Sequence, residues 1–280
     1  MWRDRLRSVM PPAWRGDGVT VPVVRVAGVI GSAMRFRPGL SLESLAQPLQ
    51  RAFSFRASPA VALIINSPGG AAVQSHLIYR RIRALATEKQ KTVLAFVEDV
   101  AASGGYMIAL AADEIVVDPG SIVGSIGVVS AGFGFQDLIA RFGIERRVHA
   151  AGDRKAMLDP FRPEKPEDVA HLESLQRQIH ALFIDLVKER RGGKLAGDSE
   201  LFSGAFWSGR QGVELGLADT VGDARTVLRE RFGDKVSTPV VNAGRPFWRR
   251  FGFPATLAGE SVDAILAAIE ERAAWSRFGL

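Results

Sequence analysis

Ser103 stands directly before Gly104 and Gly105 in "DVAASGGYMIALAAD" (99–113), a setting in which a serine can act as a nucleophile. Glycine costs about 1 kcal/mol relative to alanine inside a helix, so two in a row mark a place that needs bare backbone rather than a plain core helix. The residues before Ser103 read as a strand and those after it as a helix, which places the hydroxyl at a helix N-terminus, where free N–H groups favour negative charge. That is a layout for acyl transfer: a hydroxyl oxygen attacks a carbonyl and N–H donors hold the developing oxyanion, each worth about 2.7–4 kcal/mol. The N–H of Gly104 is one candidate donor. A second comes from "NSPGG" (66–70), where Pro68, Gly69 and Gly70 follow another apolar run and open another helix, an arrangement that lets backbone amides approach a ligand closely. Either glycine pair alone is what a tight strand-to-helix turn needs; two such turns after neighbouring strands favour the functional reading.

A serine nucleophile also needs a base. The four histidines are His76, His149, His171 and His180. His171 and His180 fall in a long predicted helix and read as surface or packing residues, His76 reads as solvated or structural, and His149 near the end of a predicted strand remains a weak candidate. The nucleophile elbow of an α/β-hydrolase requires a late acid followed by a histidine, and the last hundred residues hold no histidine. Lysine is the alternative, once burial lowers its pKa from about 10.4 toward 7 or 8. Lys155, in "AAGDRKAMLDPF", is followed by Ala156, Met157 and Leu158 and a proline-bounded turn, whereas the other lysines have mainly polar, charged or glycine-rich neighbours.

The elements that must position these residues alternate. Apolar runs at 21–30, 61–65 and 92–97 read as strands, with further short strands at "EIVV" (114–117) and "IGVVS" (126–130) around a turn at "DPGS". Between them, "SLESLAQPLQRAF" is helical around Pro48, and residues 71–86 place Val73, Leu77, Ile82 and Leu85 along one helical face. The stretch "PEDVAHLESLQRQIHALFIDLVKERR" (166–191) is a long helix, with Leu172, Leu175, Ile179, Leu182, Phe183 and Leu186 at helical spacing. Buried strands alternating with amphipathic helices give an α/β fold, helices packed on sheets.

The 280 residues are 47% hydrophobic, enough for one large core with appendages. The chain divides into a basic, Trp-containing arm (1–20), a central domain (21–236), and a linker with an amphipathic C-terminal helix (237–280) that aligns Val262, Ile265, Leu266 and Ile269. No apolar run reaches the length of a membrane span, and the first residues lack the apolar centre of a secretory signal. The formal net charge of +6 is scattered, without a basic block or nucleic-acid motif, so nucleic acid is not the expected partner. The absence of cysteine excludes thiolate nucleophiles and Cys-based metal sites; neither a metal nor a cofactor is expected. Trp2, Trp14, Trp248 and Trp275 cluster with arginines near the ends, a pairing used at subunit contacts and at lipid headgroups alike.

Together "NSPGG", "ASGGY", "ADEIVVDPGSIVGSIGV" and "GDRKAMLDPFRP" resemble the signal peptide peptidase A family of serine proteases (peptidase family S49), from about Val21 to Gly222. The resemblance implies a spiral of ββα units shared with Clp protease and crotonase. It further implies Ser103 as nucleophile, Lys155 as general base, Ser125 as the hydroxyl that holds the lysine amine, and an oxyanion hole of the N–H groups of Gly69 and Gly104, with Gly70 beside them. Serine and lysine in that family come from neighbouring subunits or domains, so a homo-oligomeric ring acting on peptides such as signal-peptide remnants is expected. The expected location is cytoplasmic, with the Trp/Arg-bearing ends serving either as a peripheral contact on the inner membrane or as subunit contacts. A crotonase-type acyl-CoA enzyme and a non-catalytic ring scaffold or membrane adaptor are the rival readings.

Overall fold

The computed structural model describes residues 18–31, 39–242 and 272–280. Strands β1 (Val23–Ala27), β2 (Ala60–Ser67), β3 (Thr92–Ala102) and β4 (Glu114–Val117) pair in parallel in that order, and β7 (Thr220–Val221) extends the sheet beyond β4. Parallel strands covered on both faces need near-continuous apolar side chains; Val61, Leu63 and Ile65 of β2 and Val93, Leu94 and Ala95 of β3 meet that demand and are buried. Parallel pairing also needs crossovers, supplied by α1 (Leu42–Phe53), α2 (Ala72–Lys89) and α3 (Gly104–Ala109). Helix α1 is started by a capping box between Ser41 and Ser44 and buries Leu45, Leu49 and Phe53. The predicted α/β layering is therefore present, and Ser237, Pro239 and Val241 continue it by bonding to the backbone around β1.

Strand β3 changes partners along its length. Its middle, Leu94–Val97, pairs with β4, while Val100–Ala102 pairs with β5 (Ile122–Gly124), which in turn lies antiparallel to β6 (Phe206–Ser208). This wedge of β5 against the carboxyl end of β3 is what assembles the site described below.

Several expectations about faces and strands are corrected. In α2 the buried positions are Ser75, Ile78, Tyr79, Ile82, Leu85 and Ala86, whereas Val73 and Leu77 are exposed. The inward position of its first turn is the small Ser75 because the backbone of Gly104 packs against it. Helix α5 (Pro166–Arg191) has the predicted bounds, but only Phe183, Leu186, Val187 and Arg191 are buried; Leu175, Ile179 and Leu182 are exposed. Residues 126–130 form no strand, since Ser125 turns the chain at φ 51° and the Gly127 N–H donates to the Ser125 carbonyl, ending the ladder. Residues 144–149 form none either, having no neighbouring ladder; the short helix α4 (Gln136–Arg141) precedes them. Trp2, Trp14, Trp248 and the helix expected around Val262–Ile269 lie outside the described residues.

A buried ion pair ties α5 to the end of the sheet. Arg191, 4% exposed, places Nη1 2.8 Å from Asp219 Oδ2, and Lys194 Nζ reaches Oδ1 of the same carboxylate. Burial pushes the Asp219 carboxyl up, but hydrogen bonds from Arg191, Lys194 and the Ile115 N–H outweigh it and hold it below its ordinary 3.8. Its contribution is therefore complete above about pH 4 and is lost as pH falls through the depressed folded value. Asp219→Ala leaves the buried guanidinium without its counter-charge and is expected to lower stability by about 3–5 kcal/mol at pH 7, read as a fall in the urea midpoint. A change below about 1 kcal/mol would show that water replaces the carboxylate at little cost.

Candidate active site

Three neighbouring parallel strands end side by side and release the residues singled out in the sequence. Strand β2 ends at Ser67 and leads into Pro68, Gly69 and Gly70; β3 ends at Ala102 and leads into Ser103 and Gly104; β5 ends at Gly124 and leads into Ser125. Ser67 pairs with Ala101 and Ala102 with Gly124, so the three exits share one level. The carboxyl ends of parallel strands are where open α/β sheets bind their ligands.

Both serines leave their strands through a left-handed bend, Ser103 at φ 50° and Ser125 at φ 51°. Such a conformation costs a non-glycine residue about 1–3 kcal/mol and persists only where neighbours impose it. At Ser103 the neighbours are the Gly124 carbonyl, which accepts its N–H at 2.8 Å, and the Met107 N–H, which donates to its carbonyl at 2.9 Å. At Ser125 the N–H donates to the Ala205 carbonyl at 2.7 Å. Close approach of backbones explains the glycines: a Cβ on Gly104 would lie 2.3 Å from Ser75 Oγ, one on Gly105 2.5 Å from the Ser67 carbonyl, and one on Gly69 2.8 Å from Ser103 Cβ. The first turn of α3 thus rests directly on the end of β2 and the start of α2.

The three glycines proposed as oxyanion donors are not equivalent. The Gly69 N–H already donates to Ser67 Oγ at 3.2 Å. The N–H of Gly70 and that of Gly104, first in α3, have no acceptor among the described residues. Gly70 and Gly104 are therefore the open pair beside Ser103, with Gly69 holding the loop against it.

A cavity of 710 Å³ covers this arrangement and is lined by Gly69, Gly70, Ser103, Gly104 and Ser125, with Met107, Ile179 and Phe183 on its apolar side. His180 also lines it, which corrects its assignment as a surface or packing residue of the long helix. Its Nε2 lies 3.0 Å from the Ile126 carbonyl; that nitrogen must carry the proton and donate, leaving Nδ1 of the neutral ring as an acceptor. Helical periodicity alone did not say which face of α5 meets the sheet end. The available signal was the spacing to Phe183, three residues on and buried, which puts His180 on the same face.

Lys155 lies elsewhere. It occupies an exposed turn in which its N–H donates to the Gly152 carbonyl at 3.1 Å, and it is not among the residues that line the cavity. No residue from 127 to 182 is buried, although the stretch carries Phe133 at 81% exposure and Phe142, Ile144 and Leu182 in a similar state. Its own ties are local: the Phe135 N–H donates to the Pro160 carbonyl, the Phe135 and Phe161 rings are 5.6 Å apart, and Arg146 pairs with Asp159 at 3.3 Å. One chain therefore brings together Ser103, Ser125 and the glycine amides, and leaves Lys155 outside.

A bent serine at the end of a buried parallel strand, faced by open glycine amides, has the layout of a serine acyl-transfer site. The family model for peptidase family S49 matches residues 86–234, and the chain belongs to that family; the α/β layering described above, with a mostly parallel sheet, is what the chain itself displays. It is 53% identical over 286 residues to the Na(+)/H(+) antiporter NhaA of Brucella abortus, a match covering 98% of this chain and 39% of that one. A Synechocystis protein with a provisional protease name is 33% identical over 198 residues, 69% of this chain and 71% of its own. Among solved structures, a membrane-bound stomatin-specific protease with a substrate peptide aligns over 84% of this chain and 96% of its own, with a TM-score of 0.49 and 15% identity. The chain spans about two fifths of the length of the Brucella relatives.

Proposed function

We propose that the protein is a serine endopeptidase acting through an acyl-enzyme on extended peptides, signal-peptide remnants among them, with Ser103 as nucleophile and Lys155 of a second copy as general base. Neutral Lys155 takes the Ser103 proton, the hydroxyl oxygen attacks the peptide carbonyl, and the Gly70 and Gly104 amides hold the oxyanion. The protonated amine then gives its proton to the leaving nitrogen, and water releases the acyl group. Ser125 holds the amine. The observation that carries this reading is the convergence of Ser103, Ser125 and two open amides on one cavity, in a chain whose Lys155-bearing stretch, 127–182, holds no buried residue among the described ones. A second copy packed on that stretch would cover Phe133, Phe142 and Leu182 and remove Lys155 from water, and desolvation disfavours a charged amine. In Brucella the homologous stretch belongs to a longer polypeptide named as a Na(+)/H(+) antiporter, and we read that pairing as favouring work beside a membrane.

His180 favours a second reading, in which the base comes from the same chain, because its ring already lines the Ser103 cavity. A fluorophosphonate probe separates the readings. Labelling is expected at Ser103 in the wild type, to persist in His180→Gln, and to be lost in Lys155→Ala. The reverse pattern selects His180. No labelling in any form removes the nucleophile and favours the acyl-CoA or scaffold alternatives.

A further inference from the structure

We infer that Arg277 makes the cavity selective for a peptide carboxylate, the segment 272–280 being a wall of the substrate site; this rests on the peptidase reading. Phe278 is buried against Val100, Ala102 and Ile122, and its ring meets Phe206 edge-on at 5.1 Å. Those contacts lie on β3 and β5, whose ends lead into Ser103 and Ser125, and on β6, which pairs with β5. The segment is thus fastened to the same strands that position the two hydroxyls. Arg277, the residue directly before Phe278, has its guanidinium 5.9 Å from the Phe278 ring centroid, and it lines the Ser103 cavity together with Ala274.

Charge then decides what the cavity accepts. None of its described lining residues is Asp or Glu, and His180 is the other titratable side chain there. A guanidinium presents a planar fork of donors that matches a carboxylate, and here it meets no competing anion among the lining groups. A peptide bearing a carboxylate near the scissile bond enters favourably; one bearing Lys or Arg there is repelled. An acidic side chain and the free α-carboxylate at a peptide's C-terminal end offer the same chemistry.

The test uses the full chain and one peptide sequence in four forms, with Glu or Gln beside the cleaved bond and with a free or amidated C-terminus. Because Arg277 is exposed, carboxylate forms are expected to exceed their neutral counterparts in kcat/KM by about three- to tenfold at low salt, the margin shrinking as salt rises. The pair of peptides that shows the margin identifies the source. Arg277→Gln is expected to erase it, Arg277→Lys to keep part of it, and Phe278→Ala to reduce it by releasing the segment from the strands. No margin in the wild type, or an undiminished one in Arg277→Gln, overturns the proposal. Fluorescence anisotropy with the Ser103→Ala chain repeats the comparison as binding alone: carboxylate-dependent binding without turnover in the wild type would remove the peptidase reading and leave the subsite standing.

Discussion

Ser103→Ala is expected to lower kcat/KM for peptide turnover by about 10⁴- to 10⁶-fold, the scale on which loss of a nucleophile removes a concerted catalytic unit, while the folded state persists. The substitution deletes one exposed-facing oxygen and keeps the bend at φ 50°, since alanine meets the same strain there as serine. The hydrogen bonds that impose the bend are backbone bonds to Gly124 and Met107 and survive. Steady-state turnover measured beside far-UV circular dichroism checks both halves. A loss below about tenfold with intact secondary structure would mean that the oxygen is not the attacking atom.

Lys155→Ala is expected to cost about 10² to 10⁴ in kcat/KM, the range for losing a general base, although Lys155 lies outside the Ser103 cavity of its own chain. Lys155→Arg is expected to be as inactive, because a guanidinium stays protonated and cannot accept the serine proton. Near-normal turnover in Lys155→Ala, with a large loss in His180→Gln, would move the base into α5 of the same chain.

The sequence told much of this where local chemistry dictates geometry. Gly104 and Gly105 announced a backbone contact, and the structure supplies it as Ser75 and the Ser67 carbonyl. Gly69 and Gly70 announced the facing loop, but only coordinates separate the engaged N–H of Gly69 from the open one of Gly70. Long apolar runs gave β2 and β3, because strands buried on both faces leave little choice of side chain. The strand expected at 126–130 was misread since its valines look like core, whereas the bend at Ser125 turns them toward the cavity as Val128 and Val129. The apolar spacing along α5 gave the helix but not its buried face: half of the stripe, including Leu175 and Leu182, is exposed. His180 escaped for a related reason: a helix's phase relative to its sheet is set by tertiary packing, which a single sequence does not print.

Co-assembling Ser103→Ala and Lys155→Ala chains in equal amounts tests the central claim most directly. Each preparation alone is expected to be inactive, and if each site takes its serine from one copy and its lysine from the next, random mixing restores about one quarter of wild-type activity whatever the number of subunits. Activity that stays at the level of the separate variants, in mixed assemblies shown to contain both chains, would contradict a site shared between copies.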